Sequence, residues 1–264
     1  MKELCVIGCG VMGGAMLKGI VNSGLIAPQD IIVTGRTPEK LERLRGEFKV
    51  EATEDNREAV SESKIILVAL KPQILVCAAK EFSGVIPEDA LVISIAAGKT
   101  IQRLEGYFPG RKIIRGMPNL PALVSAGMSL ICGNERVTPE DRELALRLFR
   151  TFGEAEEIPE RLMDAAMSVA SCSPAYAALF VEALSDAGVK LGLTRKQSLA
   201  MAGQAIYGAM KLILEEGMHP AILKDRVCSP GGTTIEGVSV LESLGFRGTV
   251  IQAVESALRR AKEL

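Results

Sequence analysis

Short apolar runs alternate with amphipathic stretches over the first 152 residues of the chain. Apolar runs at this spacing, with helices between them, are typical of a doubly wound, mainly parallel sheet. The predicted strands are 4–8, 31–34, 65–70, 91–95, 112–116 and 129–132, and the predicted helices are 15–23, 38–48, 74–82 and 141–152. We therefore expect an α/β fold in this half.

Beyond residue 158 the pattern contains no further strand and predicts consecutive helices from residue 163 onward. Glycine and proline divide these helices, because both residues are unfavourable inside a helix. The predicted breaks are Ser173-Pro174, Gly188, Gly192, Gly217, Pro220, residues 230–232 and Gly245. The chain is thus predicted to hold an α/β domain over 1–158 and an all-helical domain over 159–264.

Composition narrows the classes of partner. Lys and Arg number 31 against 32 Asp and Glu, aromatic residues make up 4%, and tryptophan is absent. This balance predicts no nucleic-acid partner and no anionic membrane partner. No uninterrupted apolar run of about 18 residues occurs, so no membrane-spanning helix is predicted. The high apolar share, 48%, instead predicts a homo-oligomer with a large interface.

The six cysteines contain no CxxC pair, and their spacing matches no metal site. We therefore predict no metal, reduced thiols and a cytoplasmic protein.

A glycine motif of the GxGxxG type follows the first predicted strand and opens the first helix. It consists of Gly8, Cys9, Gly10, Val11, Met12 and Gly13. The first glycine permits the tight turn, the second lets a pyrophosphate approach the backbone, and the third lets helix and strand pack closely. The phosphates then lie at the helix N-terminus. The motif in this context predicts a Rossmann-type dinucleotide site.

The end of the second strand indicates which dinucleotide binds. An NAD site usually places Asp or Glu there for the ribose 2′-hydroxyl. This chain has Arg36 followed by Thr37. A guanidinium matches a 2′-phosphate in charge and geometry, so we predict NADPH as the preferred cofactor, with NADH possible. The alternative is that Arg36 is a solvated surface charge.

Three further strand ends should lie at the same ligand-binding edge of the sheet. They offer a lysine, an asparagine and small residues that leave room for a nicotinamide ring. The residues are Ala69, Leu70, Lys71 and Pro72 after the third strand, Ala96, Ala97 and Gly98 after the fourth, and Met117, Pro118 and Asn119 after the fifth. Lys71 could contact a phosphate or a ribose hydroxyl, or it could be an ordinary surface lysine. Asn119 could orient the cofactor or the substrate, or it could be an ordinary turn residue.

A second dense motif interrupts the helical half. It reads Ser229-Pro230-Gly231-Gly232-Thr233-Thr234, with a helix expected to begin at about Thr233. The amides of Gly232, Thr233 and Thr234 at a helix N-terminus suit a carboxylate; a capped turn between helices is the alternative.

The single histidine, His219, precedes Pro220, and we expect it in a turn. Oxidation of an alcohol usually needs a protein base, often a histidine or lysine. Reduction of an imine depends less on a protein acid or base, because a protonated C=N bond is already electrophilic.

Over its full length the chain resembles the pyrroline-5-carboxylate reductases. The shared motifs, in the family's order and spacing, are the glycine turn, residues 69–72, 116–119, 174–176 and 186–189, and above all residues 227–234. The resemblance implies NADPH- or NADH-dependent reduction of (S)-1-pyrroline-5-carboxylate to L-proline, the last step of proline synthesis. It also implies a Rossmann domain, a helical dimerisation domain and, in some members, a ring of dimers.

The resemblance assigns roles to individual residues. Thr234 matches the hydroxyl near the pyrroline nitrogen, with Thr233 as its close competitor. Ser229 and the amides of Gly231, Gly232 and Thr233 match contacts to the substrate carboxylate. Asn56 matches a position on the adenosine side of the cofactor, while Met117, Pro118 and Asn119 line the nicotinamide pocket.

One segment departs from the family pattern. Members usually read Ser-Gly-Ser-Gly before Pro-Ala-Tyr, whereas this chain reads Ala170-Ser171-Cys172-Ser173. Loss of both glycines predicts a tighter or rearranged pocket. The alternatives are therefore a related reductase acting on another cyclic imine or a small β-hydroxy acid, for which Lys190 and Lys211 are candidate bases, and a nucleotide-binding protein without turnover.

Overall fold

The computed structural model describes residues 1–263. The strands are β1 Lys2–Ile7, β2 Ile31–Thr34, β3 Glu51–Thr53, β4 Ser63–Val68, β5 Leu91–Ser94, β6 Lys112–Met117, β7 Gly127–Gly133 and β8 Gly153–Glu157. The helices are α1 Val11–Ser23, α2 Pro38–Phe48, α3 Asn56–Ser61, α4 Pro72–Phe82, α5 Ile101–Tyr107, α6 Pro139–Arg150, α7 Met163–Ala170, α8 Ser173–Lys190, α9 Arg195–Leu214, α10 Pro220–Val227, α11 Thr233–Ser243 and α12 Phe246–Ala261.

The strands form one sheet in the order β3-β2-β1-β4-β5-β6-β7-β8. Neighbouring strands are parallel except for the antiparallel pair β6 and β7. Both faces are covered, as parallel sheets require: along β1, Leu4 and Val6 join one apolar cluster, while Cys5 and Ile7 join the other. The predicted doubly wound, mainly parallel fold followed by helices is confirmed.

The sequence pattern missed the two edge strands, β3 and β8, and the two short helices α3 and α5. In β8 only Ala155 is buried, and three glutamates occupy other positions. Charged residues are common on edge strands because they discourage pairing with another chain, and they also remove the apolar run by which a strand is recognised.

The chain divides into two compact units. The first contains Met1–Ser171 with the stretch that begins at Arg260, and the second is Cys172–Arg259. Helix α7 belongs to the first unit, where Met163 is fully buried. The predicted domain boundary between residues 158 and 159 stays a prediction. The last residue of the second predicted domain, residue 264, lies outside the described residues.

The second unit buries little of its own surface: of its residues, only Ser185, Ser198 and Ala202 are buried. The predicted helix break at Gly188 is wrong, because α8 continues to Lys190. A Cβ at Gly188 would collide with the Ser198 hydroxyl. The glycine therefore serves close packing of α8 against α9, where the Ser198 hydroxyl donates to the Ser185 carbonyl at 2.7 Å.

One stretch, Glu160–Lys190, is apolar and long enough to span a membrane by length and composition, contrary to the prediction from uninterrupted apolar runs. Only 6% of its most apolar window is buried, and the stretch is divided between α7 and α8. Apolar helices left uncovered within one chain are also typical of subunit interfaces. Length and composition alone are therefore weak evidence for a membrane span.

Candidate active site

The turn after β1 has the geometry that a dinucleotide requires. Gly8 has a φ of +89°, and a Cβ there would lie 2.7 Å from the Leu70 Cδ2. A Cβ at Gly13 would collide with the Gly8 carbonyl oxygen and lie 2.9 Å from the Ala69 Cβ. At Gly10, by contrast, a Cβ would meet no atom within 4 Å. The outer glycines thus serve the turn and the packing, and Gly10 leaves open space above the N-terminus of α1.

The residues between these glycines differ in exposure. Cys9 is buried, and this burial raises the pKa of its thiol to about 12, so the side chain is neutral at physiological pH. Val11 is 68% exposed in the first turn of α1, and Met12 packs against the core. Any contact of Cys9 or Val11 with a phosphate would therefore come from the backbone.

A cavity of about 610 Å³ extends from this turn along the ends of β1 and β2. Seven of the predicted cofactor residues line it, namely Gly8, Cys9, Gly10, Arg36, Thr37, Asn56 and Leu70. Its wall also contains polar residues that the sequence analysis did not select, namely Lys40, Glu54, Gln73 and Glu81. The remaining predicted cofactor residues do not line this cavity.

Asn56 is held at the cavity by its own hydrogen bonds. Its Oδ1 accepts from the Thr34 hydroxyl at 2.6 Å, and its Nδ2 donates to the Glu81 carboxylate at 3.4 Å. The preceding residue, Asp55, caps α3 by accepting from the amides of Arg57 and Glu58. This part of the cavity wall is therefore preorganised.

The ends of β4 and β5 lie beside the glycine turn. The Ala69 amide donates to the Ile7 carbonyl, and the Ile95 amide donates to the Val68 carbonyl. Lys71 is the exposed N-cap of α4, and Pro72 is its first residue. After β5, Ala96 is buried, Ala97 is exposed and Gly98 turns the chain with a φ of +68°.

The segment after β6 is buried, and its asparagine is engaged within the protein. Met117, Pro118 and Asn119 are all buried. The Asn119 Nδ2 donates to the Ala170 carbonyl and its Oδ1 accepts from the Met128 amide, both at 2.9 Å. The side chain thus ties the end of β6 to β7 and to the last residue of α7, which leaves it less free for a ligand than the sequence suggested.

A buried arginine on the same strand was missed by the sequence analysis. Arg115 is 3% exposed, and its guanidinium lies 3.2 Å from the Glu160 carboxylate and 3.5 Å from the Asp164 carboxylate. Glu160 also accepts from the Ile101 amide, at the start of α5. The cluster joins β6, α5 and α7. The partners are 45 and 49 residues from Arg115 in sequence, so no local pattern predicts it.

In the second unit, residues 229–234 form the predicted turn into α11. Gly231 has a φ of +64°, Gly232 is the N-cap, and the helix begins at Thr233. The Gly232 amide donates to the Ser229 carbonyl at 3.0 Å, so this amide closes the turn and is not an exposed donor. Ser229, Thr233 and Thr234 are exposed, and their hydroxyls are open to a ligand.

The segment that departs from the family pattern joins α7 to α8. The Ser171 amide donates to the Met167 carbonyl, and the buried Ser171 hydroxyl has no hydrogen-bond partner within residues 1–263. Burial raises the pKa of Tyr176, and the charge of Cys172 and a hydrogen bond with Cys172 add to this rise. Within residues 1–263, no group of three or more His, Cys, Asp or Glu side chains is arranged to hold a metal ion.

Sequence comparison gives matches to both halves of the chain. The family model "NADP oxidoreductase coenzyme F420-dependent" matches residues 3–98, and "Pyrroline-5-carboxylate reductase dimerisation" matches residues 160–264. The pyrroline-5-carboxylate reductase of Escherichia coli (strain K12) is 45% identical over 264 residues, which are 100% of this chain and 98% of the relative. The chain belongs to the pyrroline-5-carboxylate reductase family.

Solved structures of the family share the fold over the whole chain. A pyrroline-5-carboxylate reductase from Coxiella burnetii matches with a TM-score of 0.95 and 32% identity, covering 99% of this chain and 98% of that one. The Plasmodium falciparum pyrroline carboxylate reductase, solved with NADP bound, matches with a TM-score of 0.87 and 33% identity, covering 99% and 97%. The match to a dimerisation domain agrees with the exposed apolar helices of the second unit and implies oligomerisation.

Proposed function

We propose that the protein reduces (S)-1-pyrroline-5-carboxylate to L-proline with NADPH as its preferred reductant, in the cytoplasm, as a homo-oligomer built from dimers. The observation that carries this proposal is the 45% identity to a pyrroline-5-carboxylate reductase over the whole chain, together with a glycine turn that fits a dinucleotide. The α/β domain over 1–158 holds the cofactor, and the helical domain over 159–264 supplies the dimer contacts.

In this proposal the cofactor is held along the edge of the sheet. The open backbone at Gly10 and the N-terminus of α1 bind the pyrophosphate, and Asn56 borders the adenosine. Arg36 and Thr37 bind the 2′-phosphate; Thr37 is the N-cap of α2, but its hydroxyl makes no capping bond. The ends of β4, β5 and β6, which include Ala97, Gly98 and Met117, would border the nicotinamide. Bound NADPH supplies a hydride.

The substrate carboxylate is assigned to Ser229 and to the amides of Gly231 and Thr233. Thr234 orients the ring nitrogen. A protonated imine is already electrophilic, so hydride addition at C5 yields the amine while the nitrogen keeps its proton. The residues then contribute mainly by positioning the reactants.

The rest of the chain is consistent with a reaction that needs no protein base. The Nδ1 of His219 accepts from the Ala221 amide at 3.2 Å, so the imidazole caps α10. Lys211, one candidate base for a β-hydroxy acid, lies 3.2 Å from Glu215, and this hydrogen bond raises the pKa of the lysine. A raised pKa keeps the ammonium protonated, which disfavours a base role.

The first test is the decrease in nicotinamide absorbance with purified protein, 1-pyrroline-5-carboxylate and either NADPH or NADH. We expect oxidation that yields proline, and a faster reaction with NADPH at low cofactor concentration. A folded oligomer that binds NADPH without turning over this substrate would contradict the proposal. A panel of other cyclic imines would then test whether the 170–173 segment has changed the pocket.

The role of Thr234 is tested by Thr234→Ala, with Thr233→Ala as the matched control. Loss of the hydroxyl that orients the nitrogen should lower kcat by roughly 10²-fold, as for removal of one stabilising donor, while the affinity for NADPH stays unchanged. A larger effect of Thr233→Ala would transfer the role to that residue. Steady-state kinetics and NADPH fluorescence titration give the two quantities.

A further inference from the structure

The cofactor cavity contains a second cation that the proposed function does not use. Lys40 lines the cavity together with Arg36 and Thr37, which lie between β2 and α2. Lys40 is the third residue of α2 and is half-buried. Among the described residues, no ion pair or side-chain hydrogen bond is recorded for its ammonium group, nor for the Arg36 guanidinium.

The positive charge of Lys40 acts electrostatically on the glycine turn. Burial raises the pKa of the Cys9 thiol, and the Lys40 ammonium opposes that rise. Cys9 and Lys40 both line the cavity, so the ammonium can act on anionic groups bound there. The N-terminus of α2 adds a positive dipole to the same segment.

The same cavity also contains two carboxylates, Glu54 and Glu81. They come from other segments: Glu54 follows β3, and Glu81 lies in the last turn of α4. A ribose 2′-hydroxyl is neutral and tolerates such a mixture of charges. A 2′-phosphate carries close to two negative charges and needs more than one cation to offset the two carboxylates.

We infer that Lys40 binds the 2′-phosphate together with Arg36 and contributes to the distinction between NADPH and NADH in this protein. Arg36 provides a planar, two-donor contact, and Lys40 provides a compact point charge from one turn further along. This inference rests on the cofactor assignment in the proposed function, but not on the identity of the imine that is reduced.

The test measures binding of adenosine 2′,5′-bisphosphate and of adenosine 5′-monophosphate by calorimetry. Neither ligand contains a nicotinamide, so the result is independent of turnover. The variants are Lys40→Ala and Lys40→Arg. The matched control is Arg43→Ala, which removes one positive charge from an exposed position on the same helix that does not line the cavity.

We expect Lys40→Ala to weaken the bisphosphate about tenfold, the effect of one lost charge-assisted hydrogen bond, and to change the monophosphate less than twofold. Lys40→Arg should restore most of the affinity, and Arg43→Ala should change neither ligand by more than twofold. The loss in Lys40→Ala should decrease at high salt, because salt screens the interaction.

An equal loss for both ligands, or no loss for either, would overturn the inference. A tenfold loss with Arg43→Ala would also overturn it, since the effect would then belong to the net charge of α2. If 1-pyrroline-5-carboxylate is not reduced while Lys40→Ala still discriminates between the two ligands, the proposed reaction fails and the role of Lys40 stands.

Discussion

The central strands of the sheet are almost wholly buried within one chain, whereas the helices of Cys172–Arg259 bury only Ser185, Ser198 and Ala202. The strands contribute to two apolar clusters, one on each face of the sheet. The helices expose large apolar residues, among them Leu179, Leu199 and Ile251. The first unit therefore has its own core, while the exposed apolar surface of the second unit is typical of a subunit interface.

The largest expected effect comes from placing a charge on that uncovered surface. Leu179 is 67% exposed on α8 and lines a groove of about 980 Å³ with Val181 and Leu199. Burying a carboxylate at an interface costs far more than the 1.5–3 kcal/mol or so gained by burying a leucine. Leu179→Glu should give a monomer without reductase activity that still binds adenosine 2′,5′-bisphosphate.

Sedimentation velocity and calorimetry measure these two outcomes. Leu179→Met is the control, since it nearly conserves volume and polarity, and it should remain an active oligomer. A fully associated, active Leu179→Glu protein would show that this part of α8 lies outside the interface.

The next effect concerns the cofactor turn of the first unit. Gly10→Ala adds a methyl group where no atom lies within 4 Å, so the fold should tolerate it. The methyl group would occupy the space assigned to the pyrophosphate, and we expect roughly 100-fold weaker NADPH binding with an unchanged Tm. Gly13→Ala should instead lower the Tm, because its Cβ would collide with the Gly8 carbonyl. If both variants bind NADPH weakly and both have a lowered Tm, Gly10 and Gly13 do not have the separate roles in binding and packing that we assign to them.

The buried tie at Asn119 should affect stability more than association. Asn119→Ala leaves the Ala170 carbonyl and the Met128 amide without their partner. A fully buried group left unpaired costs about 1–3 kcal/mol. Because both groups are only partly buried, we expect the free energy of unfolding to fall by about 2 kcal/mol in chemical denaturation. Leu120→Ala, at an exposed neighbouring position, is the control. A change in oligomeric state at unchanged stability would place the role of Asn119 outside the first unit.

The smallest effect concerns the cysteines. Burial raises the pKa of Cys9 and of Cys132 to about 12, whereas Cys77 is exposed and lines the cofactor cavity. Iodoacetamide at pH 8 should alkylate Cys77 and leave Cys9 and Cys132 unmodified until the protein unfolds. Bound NADPH should slow the alkylation of Cys77. Peptide mass spectrometry measures each site, and early modification of Cys9 would contradict its burial.

The same pKa shifts give a stability trend. An unfolded thiol ionises near its ordinary pKa of 9.0, and the folded Cys9 thiol ionises only near 12. Between these values the folded state holds more protons, so the contribution to stability is fully present below pH 9 and is lost as the pH rises toward 12.

Local chemistry explains what the sequence could predict. The glycine motif stands between the first strand and the first helix, and in that context it predicted a dinucleotide site. Its contacts with Ala69 and Leu70 were not predicted, because those residues are distant in sequence. The turn at 229–234 was placed correctly from its local chemistry, although the bond from the Gly232 amide to Ser229 was not foreseen. Asn119 was found by its place at a strand end, but its two partners are distant in sequence.

Non-local packing explains what the sequence could not predict. Arg115 finds Glu160 and Asp164 only after the sheet has formed. Gly188 resembles a helix break until Ser198 is brought against it. Lys40 could have been predicted as a cofactor residue, because it lies in the first turn of α2, which directly follows Arg36 and Thr37. Its place on the cavity wall, however, depends on how α2 packs against β3.

The sparse burial of Cys172–Arg259 has a consequence for how the protein is made. The core of the first unit can close once α7 has left the ribosome, because its two apolar clusters come from residues synthesised by then. In the proposed homodimer the later helices gain most of their core only when two chains meet, so reaching the native state is a second-order process. Its half-time shortens as the chain becomes more abundant, and a dilute chain spends longer with its apolar helices open to solvent.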